Sequence, residues 1–396
     1  MKLKKDYWIA IICKAIVILT ELLITIFINR GLGVASKGEY AYIMKIVEVA
    51  YIFCSIGLGQ AYATFRKRGE EKLRDAFVFL GILQSALVLV FGLIIVKLFS
   101  VDYGVIIVAL TALSVLKSIF SMIAVIEKNI LRNIIQVAIN IIYVVALAVL
   151  FFSKISSLSM ILLCYGIVEI IRIIILCLLY RLKPSFKYLC KTTVLEIYKI
   201  GFTTMILMVL VTLNYSIDTV MIRNMSSSYS TGIYSVGVNF SSMFLMIPDA
   251  FKDVLFGDAS KKKFDSHTAY SAIKVSISIS ILGIIAWLLL GKFAITLLYG
   301  IDYLNSYHVT TVLFFGCISL TFFKILQPIF IADGNQTIAC IYLGISVLSN
   351  IVANYFLIPS MDYIGAAIAS VISYSVCGGL FLFKYQRKIH KEITHE

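Results

Sequence analysis

Proline, tryptophan and histidine are scarce in this chain of 396 residues, which has four, two and four of them. Charge is scarce too. Asp, Glu, Lys and Arg make up 14% of the chain, against roughly 25% in a soluble globular domain. So few charges cannot cover a water-facing surface, which excludes a soluble enzyme, and the apolar content excludes a disordered chain. Catalytic signatures are missing as well. There is no G-x-x-x-x-G-K-[ST] phosphate loop, no H-E-x-x-H and no G-x-S-x-G, so the chemistries those motifs carry have no support. The histidines His267, His308, His390 and His395 lack ligand spacing. The eight cysteines (Cys13, Cys54, Cys164, Cys177, Cys190, Cys317, Cys340 and Cys377) include no C-x-x-C pair. They are expected to be small packing residues rather than disulfides or metal ligands. Neither an enzyme nor a resident cofactor is expected.

What the chain has is apolar length: 61% of residues are hydrophobic and the mean hydropathy is +0.98. A membrane-crossing helix needs about 20 such residues. Twelve stretches qualify: 8–28, 40–61, 76–99, 104–126, 133–153, 158–180, 198–222, 233–256, 271–298, 308–331, 337–358 and 363–384. The expected fold is an all-α integral membrane protein with 12 transmembrane helices. The first stretch follows Lys2, Lys4 and Lys5, but it is too long for a signal peptide and no small-residue cleavage site follows it.

The formal charge of +14 could suggest nucleic acid. The basic residues sit in short runs between apolar stretches, however, so they are topogenic and no nucleic-acid partner is expected. Lys and Arg concentrate at the N-terminus, in 62–75 (Arg66, Lys67, Arg68, Lys72, Arg74), at Lys128 and Arg132, in 181–197 (Arg181, Lys183, Lys187, Lys191), at Lys261–Lys263 and in the tail (Lys388, Lys391). The alternate connections hold little beyond Arg30, Lys37, Lys154 and Arg223. Positive charge stays on the cytoplasmic side, which puts both termini there and leaves the outer connections too short for a folded domain. The basic stretch 181–197, with Pro184, divides an amino-terminal six-helix lobe (1–180) from a carboxy-terminal one (198–384), with a cytoplasmic tail over 385–396. A trace of a repeat supports the halves: Asn29-Arg30 precedes Gly38-Glu39-Tyr40, and Arg223-Asn224 precedes Gly232-Ile233-Tyr234.

Ionisable residues at membrane depth are costly and usually face a hydrated cavity or one another. Lys14 and Glu21 share a face of the first stretch. Lys45 and Glu48, and Glu169 and Arg172, are i,i+3 pairs that can neutralise each other. Lys274 and Lys45 can snorkel to an interface. Lys117 and Lys324 have no acid at i±3 or i±4, so they are expected, with Lys14, to supply positive charge to a substrate cavity and to meet an anionic group. Glu21, Glu48, Glu169, Arg172, Asp218 and Arg30 are candidates for gating or for polar positions of that cavity. Asp218 has two readings: a structural acceptor for Arg223 or a neighbouring hydroxyl, or a gate pairing with Arg30 or Lys37 of the other lobe. Asn350 and Asn354, at i,i+4, suit hydrogen bonds between helices.

Several segments resemble the polysaccharide-unit (Wzx-type) flippases of the multidrug/oligosaccharidyl-lipid/polysaccharide exporter superfamily. They are Arg30-Gly31-Leu32-Gly33 with Gly38-Glu39-Tyr40; Gly57-Leu58-Gly59-Gln60-Ala61 with Phe65-Arg66; Tyr215 to Ile222 with Gly232-Ile233-Tyr234; Tyr299-Gly300 with Tyr303-Leu304-Asn305-Ser306; Asp333-Gly334-Asn335; and Leu357-Ile358-Pro359 with Ile364 to Ala369. Val34-Ala35-Ser36 stands where Gly-Pro-Glu is common in that family, a change confined to a turn. The resemblance implies two six-helix lobes in a V around a cavity that opens alternately to either face. It implies a bacterial cytoplasmic-membrane protein whose cargo is an undecaprenyl-diphosphate-linked oligosaccharide, and whose partners are the bilayer, a polysaccharide polymerase and other glycan-assembly proteins. It leaves open whether a proton or a sodium ion couples the cycle. A multidrug or lipid II exporter of the same superfamily is the alternative. A membrane glycosyl polymerase or ligase is disfavoured because it needs a large outer loop.

Overall fold

The computed structural model describes residues 5–246, 248–249, 266–332 and 335–395. The basic run Lys261–Lys263, the inner end of the 233–256 stretch and Asp333-Gly334 lie outside the described residues. All regular structure among the described residues is helical: α1 (Lys5–Ser55), α2 (Leu58–Lys67), α3 (Arg74–Phe99), α4 (Gly104–Phe152), α5 (Leu158–Leu179), α6 (Lys191–Met225), α7 (Ser228–Phe244), α8 (Ser266–Leu298), α9 (Ser306–Ala332) and α10 (Gln336–His395), with short 3-10 turns at 71–73 and 301–303. Eight of the described helices are long and apolar enough to cross a membrane.

Three helices are far longer than a bilayer requires, at 51, 49 and 60 residues for α1, α4 and α10. Each is broken at a single residue: Gly33 (φ 71, ψ 173), Lys128 (φ −146, ψ 74) and Asp362 (φ 52, ψ −135). The breaks fall where the sequence reading puts connections between spans, but they take one residue rather than a loop. Gly33 occupies a region of backbone space open essentially to glycine alone. Lys128 frees a carbonyl that accepts from the Tyr180 hydroxyl at 2.8 Å. Asp362 is held by Ser226 and Ser230, whose hydroxyls both donate to its carboxylate at 2.6 Å. Two further differences come from helix continuing through polar sequence. The stretch 62–75 is partly α2, and the tail expected over 385–396 is the end of α10.

The exterior is made of apolar side chains, with Leu289 at 78% and Phe152 at 76% exposure, while Asn214, Ser216, Asn350 and Asn354 are fully buried. This is the distribution a hydrocarbon solvent imposes, because polar groups must find partners inside.

The described residues group into two compact units. The first draws on Met1–Gly33 and Ile43–Val209. At one end of it Arg74 joins α3, α4 and α5: Nε donates to Glu127 Oε1 at 2.5 Å, and Nη2 donates to Glu127 Oε2 at 3.2 Å and to the Tyr180 carbonyl at 2.5 Å. In the same unit a Cβ on Gly57 would lie 2.2 Å from the Gly201 carbonyl, so α2 begins in backbone contact with α6. The second unit draws on Val34–Tyr42 and Leu210–Glu396. There the 34–42 segment of α1 lies against the start of α7. Arg223 Nε donates to Glu39 Oε1 at 2.6 Å, and Ser228 donates to the same oxygen.

Candidate functional site

In the first unit, α4 and α5 bring three of the expected residues together. Lys117 Nζ lies 3.4 Å from Glu169 Oε2, and Arg172 Nη2 lies 3.6 Å from Glu169 Oε1. Tyr165 lies one turn before Glu169, and its ring centre lies 5.9 Å from Lys117 Nζ. The burial is uneven. The side chains of Lys117 and Arg172 are 24% and 21% exposed, that of Glu169 only 5%. The cations therefore stand in front and the carboxylate behind them. Around this triad, Lys45 donates to Glu48 at 2.8 Å, and Glu21 and Arg132 both interact electrostatically with Arg172.

The absence of a partner expected for Lys117 and Lys324 is corrected by the structure. Lys117 meets Glu169 from the neighbouring helix. In the second unit Lys324 donates to Asp249 Oδ2 at 2.6 Å and lies 5.7 Å over the Tyr215 ring. A search at i±3 and i±4 sees only pairs within one helix, and both partners come from another element. Asp249 was missed altogether. Its signal was present, an acid next to Pro248 inside an apolar stretch. Lys14 and Glu21 are exposed on α1, as is Arg30.

Asp218, also in the second unit, is 1% exposed. Its Oδ1 accepts from Asn354 Nδ2 at 2.5 Å, and its Oδ2 accepts from Ser370 at 2.6 Å and from Tyr234 at 2.8 Å. Asn354 also donates to Asn350 Oδ1 at 2.8 Å, the interhelical amide role expected for that pair being shared with the carboxylate. Among the described residues no ion pair includes Asp218, and Arg223 pairs with Glu39 instead. Asp218 is thus the acceptor at the centre of a neutral donor set on α6, α7 and α10. Asp218→Ala strands three buried donors at about 1–3 kcal/mol each, so detergent-solubilised protein is expected to melt well below wild type. Asp218→Asn retains an acceptor and is expected to fall between the two. Equal melting temperatures for all three proteins would show that the donor set does not hold these helices together.

Next to the charged triad, α4 and α5 enclose an apolar groove lined by Leu110, Leu113, Leu162, Gly166, Ile167 and Ile170 among others. Lys117 lies seven residues beyond Leu110 and Glu169 seven beyond Leu162. Lys117 and Glu169 are therefore on the same helix faces as those two groove residues, about 10 Å along the axis at ~1.5 Å per residue. No group of three or more His, Cys, Asp or Glu residues among those described could hold a metal ion.

The model of a family described as polysaccharide biosynthesis protein matches residues 27–308. A capsular polysaccharide biosynthesis protein, CapF of Staphylococcus aureus, is 25% identical over 184 residues, which cover 44% of this chain and 46% of that protein. The chain thus matches about half the length of that relative. Among solved structures, the lipid II flippase MurJ in an inward closed conformation aligns with a TM-score of 0.75 at 16% identity, covering 95% of this chain and 87% of MurJ. An inward-facing multidrug resistance MATE family transporter of the MOP superfamily aligns with a TM-score of 0.69 at 14% identity, covering 98% and 100%. At these identities the likeness shows the fold: a multi-pass helical membrane protein built like the MOP transporters.

Proposed function

This chain belongs to the polysaccharide biosynthesis protein family, and on that premise we propose that it is a flippase carrying an undecaprenyl-diphosphate-linked oligosaccharide from the inner to the outer leaflet of a bacterial cytoplasmic membrane. The observation that carries the reading is the pairing of a membrane-depth cation cluster with an apolar groove on the same two helices, α4 and α5. A diphosphate needs the former and a polyprenyl chain the latter. Within the triad Lys117 and Arg172 are more exposed than Glu169, so an anionic headgroup reaching it meets positive charge first. Deleting the gene in its host is expected to abolish surface polysaccharide and to build up the lipid-linked oligosaccharide on the cytoplasmic side. Unchanged polysaccharide in the deletion strain would sink the proposal, and build-up of lipid II instead would select the lipid II alternative.

The lysine and arginine asymmetry supports cytoplasmic termini. A native residue reports on that topology. Cys190 is exposed in the 181–197 stretch, and its sulfur lies 3.0 Å from the Thr192 hydroxyl and 2.9 Å from that of Thr193. These contacts stabilise the thiolate and bring the Cys190 thiol down from its ordinary 9.0 to about 7. Alkylation is carried by the thiolate, so its rate falls as the pH drops through about 7. With Cys190 as the sole cysteine, an impermeant thiol reagent is expected to spare intact cells and to label inverted vesicles, at half-maximal rate near pH 7. Labelling of intact cells would reverse the topology.

A further inference from the structure

We infer that Glu169 is a resident counter-ion: it holds Lys117 and Arg172 when no cargo is bound, yields them to the anionic headgroup of the cargo, and takes them back as the cargo leaves. The inference rests on the diphosphate reading of the cargo given above.

Three observations together point to Glu169. The first is distance. Ion pairs between other elements of this chain close to hydrogen-bonding contact: Arg74–Glu127 at 2.5 Å, and Arg68–Glu196, Arg223–Glu39 and Lys324–Asp249 each at 2.6 Å. The two contacts of Glu169 stay open at 3.4 and 3.6 Å, beyond the 2.7–2.9 Å of a charge-assisted hydrogen bond. The second is satisfaction. Glu169 Oε2 and Arg172 Nε are buried and have no hydrogen-bond partner among the described residues. Leaving such atoms unsatisfied costs about 1–3 kcal/mol, more when they are charged, so a purely structural pair at this depth would be expected to tighten. The third is order in depth. The carboxylate is almost wholly buried while both cations keep about a fifth of their surface.

Buried charge that is neutralised yet left under-bonded can exchange partners at small cost. An arriving diphosphate offers shorter, bidentate acceptors to the guanidinium of Arg172 and to the ammonium of Lys117. It must compete with Glu169 for both, which lowers its affinity. That same competition favours release, because the departing anion leaves no cation uncompensated. Without Glu169, cargo binds more tightly and leaves more slowly. A flippase has to release what it binds, so affinity given up at Glu169 serves turnover.

The test compares purified wild type, Glu169→Gln and Glu169→Asp for binding of undecaprenyl diphosphate, with undecaprenol as the uncharged control, and measures polysaccharide export by the same variants in cells. Glu169→Gln is expected to bind undecaprenyl diphosphate about tenfold more tightly while undecaprenol binding is unchanged, and to export more slowly at equal protein level. Glu169→Asp keeps the charge but shortens its reach, and is expected to lie between the two proteins. If Glu169→Gln does not fold, Glu169→Asp still has to bind more tightly than wild type. Equal or weaker diphosphate binding by the folded variants overturns the inference while leaving the flippase reading intact. A wild-type protein that does not distinguish undecaprenyl diphosphate from undecaprenol overturns the diphosphate reading and the inference together.

Discussion

Replacing Lys117 with Gln is expected to lower polysaccharide export by about 10- to 100-fold while the protein still reaches the membrane. The magnitude follows from the interaction removed. A hydrogen bond to a charged group is worth about 1.5–3 kcal/mol, and each ~1.4 kcal/mol is a factor of ten in affinity. Lys117 is one of the two cations of the α4–α5 triad, so its loss also leaves Glu169 facing Arg172 alone and makes the triad neutral to an incoming anion. Lys117→Arg keeps the charge and is expected to retain most export. Lys117→Glu with Glu169→Lys places the cation on α5 instead of α4 and is expected to restore part of what Lys117→Glu loses. The measurement is surface polysaccharide in a deletion strain complemented with each variant at matched membrane levels. Normal export by Lys117→Gln would remove this lysine from the cargo path.

Gly38→Val and Gly232→Val are expected to prevent the second unit from folding. A Cβ on Gly38 would lie 1.7 Å from the Ser228 carbonyl oxygen, and one on Gly232 would lie 2.1 Å from the Val34 carbonyl oxygen. The obstructing atoms are backbone, so no rotamer change clears them, and the helices must separate. Overpacking a core typically costs 1–3 kcal/mol. Here separation would also break the Arg223–Glu39 pair, so the expected outcome is loss of monodisperse protein after detergent extraction rather than a shift in melting temperature. Alanine at either position is expected to be only slightly milder. Gly344→Ala is the control: nothing lies within 4 Å of its added Cβ, and helix propensity favours alanine there by ~1 kcal/mol. Monodisperse Gly38→Val would mean that the two helices are not in backbone contact.

The apolar stretches were legible in the sequence because hydrocarbon leaves a chain only one local option, the helix. The single-residue breaks were less so. Gly33 is itself a glycine and Pro359 precedes Asp362 by three residues, so breaks were suggested there, but nothing around Lys128 marks it as the residue where a helix bends and continues. Lys117, Glu169 and Arg172 were each recognisable as ionisable groups at depth, but the pairing across α4 and α5 is a property of packing. For the same reason Lys324 seemed to lack the partner it finds in Asp249. Asp218 stood out as an acid within an apolar helix, whereas its donors Asn354 and Ser370 lie 136 and 152 residues away, and no local pattern connects them. The Gly-x-Tyr motif was visible as a repeat at Gly38 and Gly232. That the glycines of the two copies serve one helix contact could be seen only in three dimensions.

Transport itself is tested most directly by reconstitution. Purified protein is placed in vesicles carrying a fluorescent undecaprenyl-diphosphate oligosaccharide in both leaflets, and an impermeant reductant quenches the outer one. Wild-type protein is expected to make the inner pool accessible within minutes, Lys117→Gln to leave it largely protected, and protein-free vesicles to hold it throughout. An inner pool that stays protected in the presence of folded wild-type protein, or that is exposed equally by Lys117→Gln, would contradict a flippase working through the α4–α5 cations.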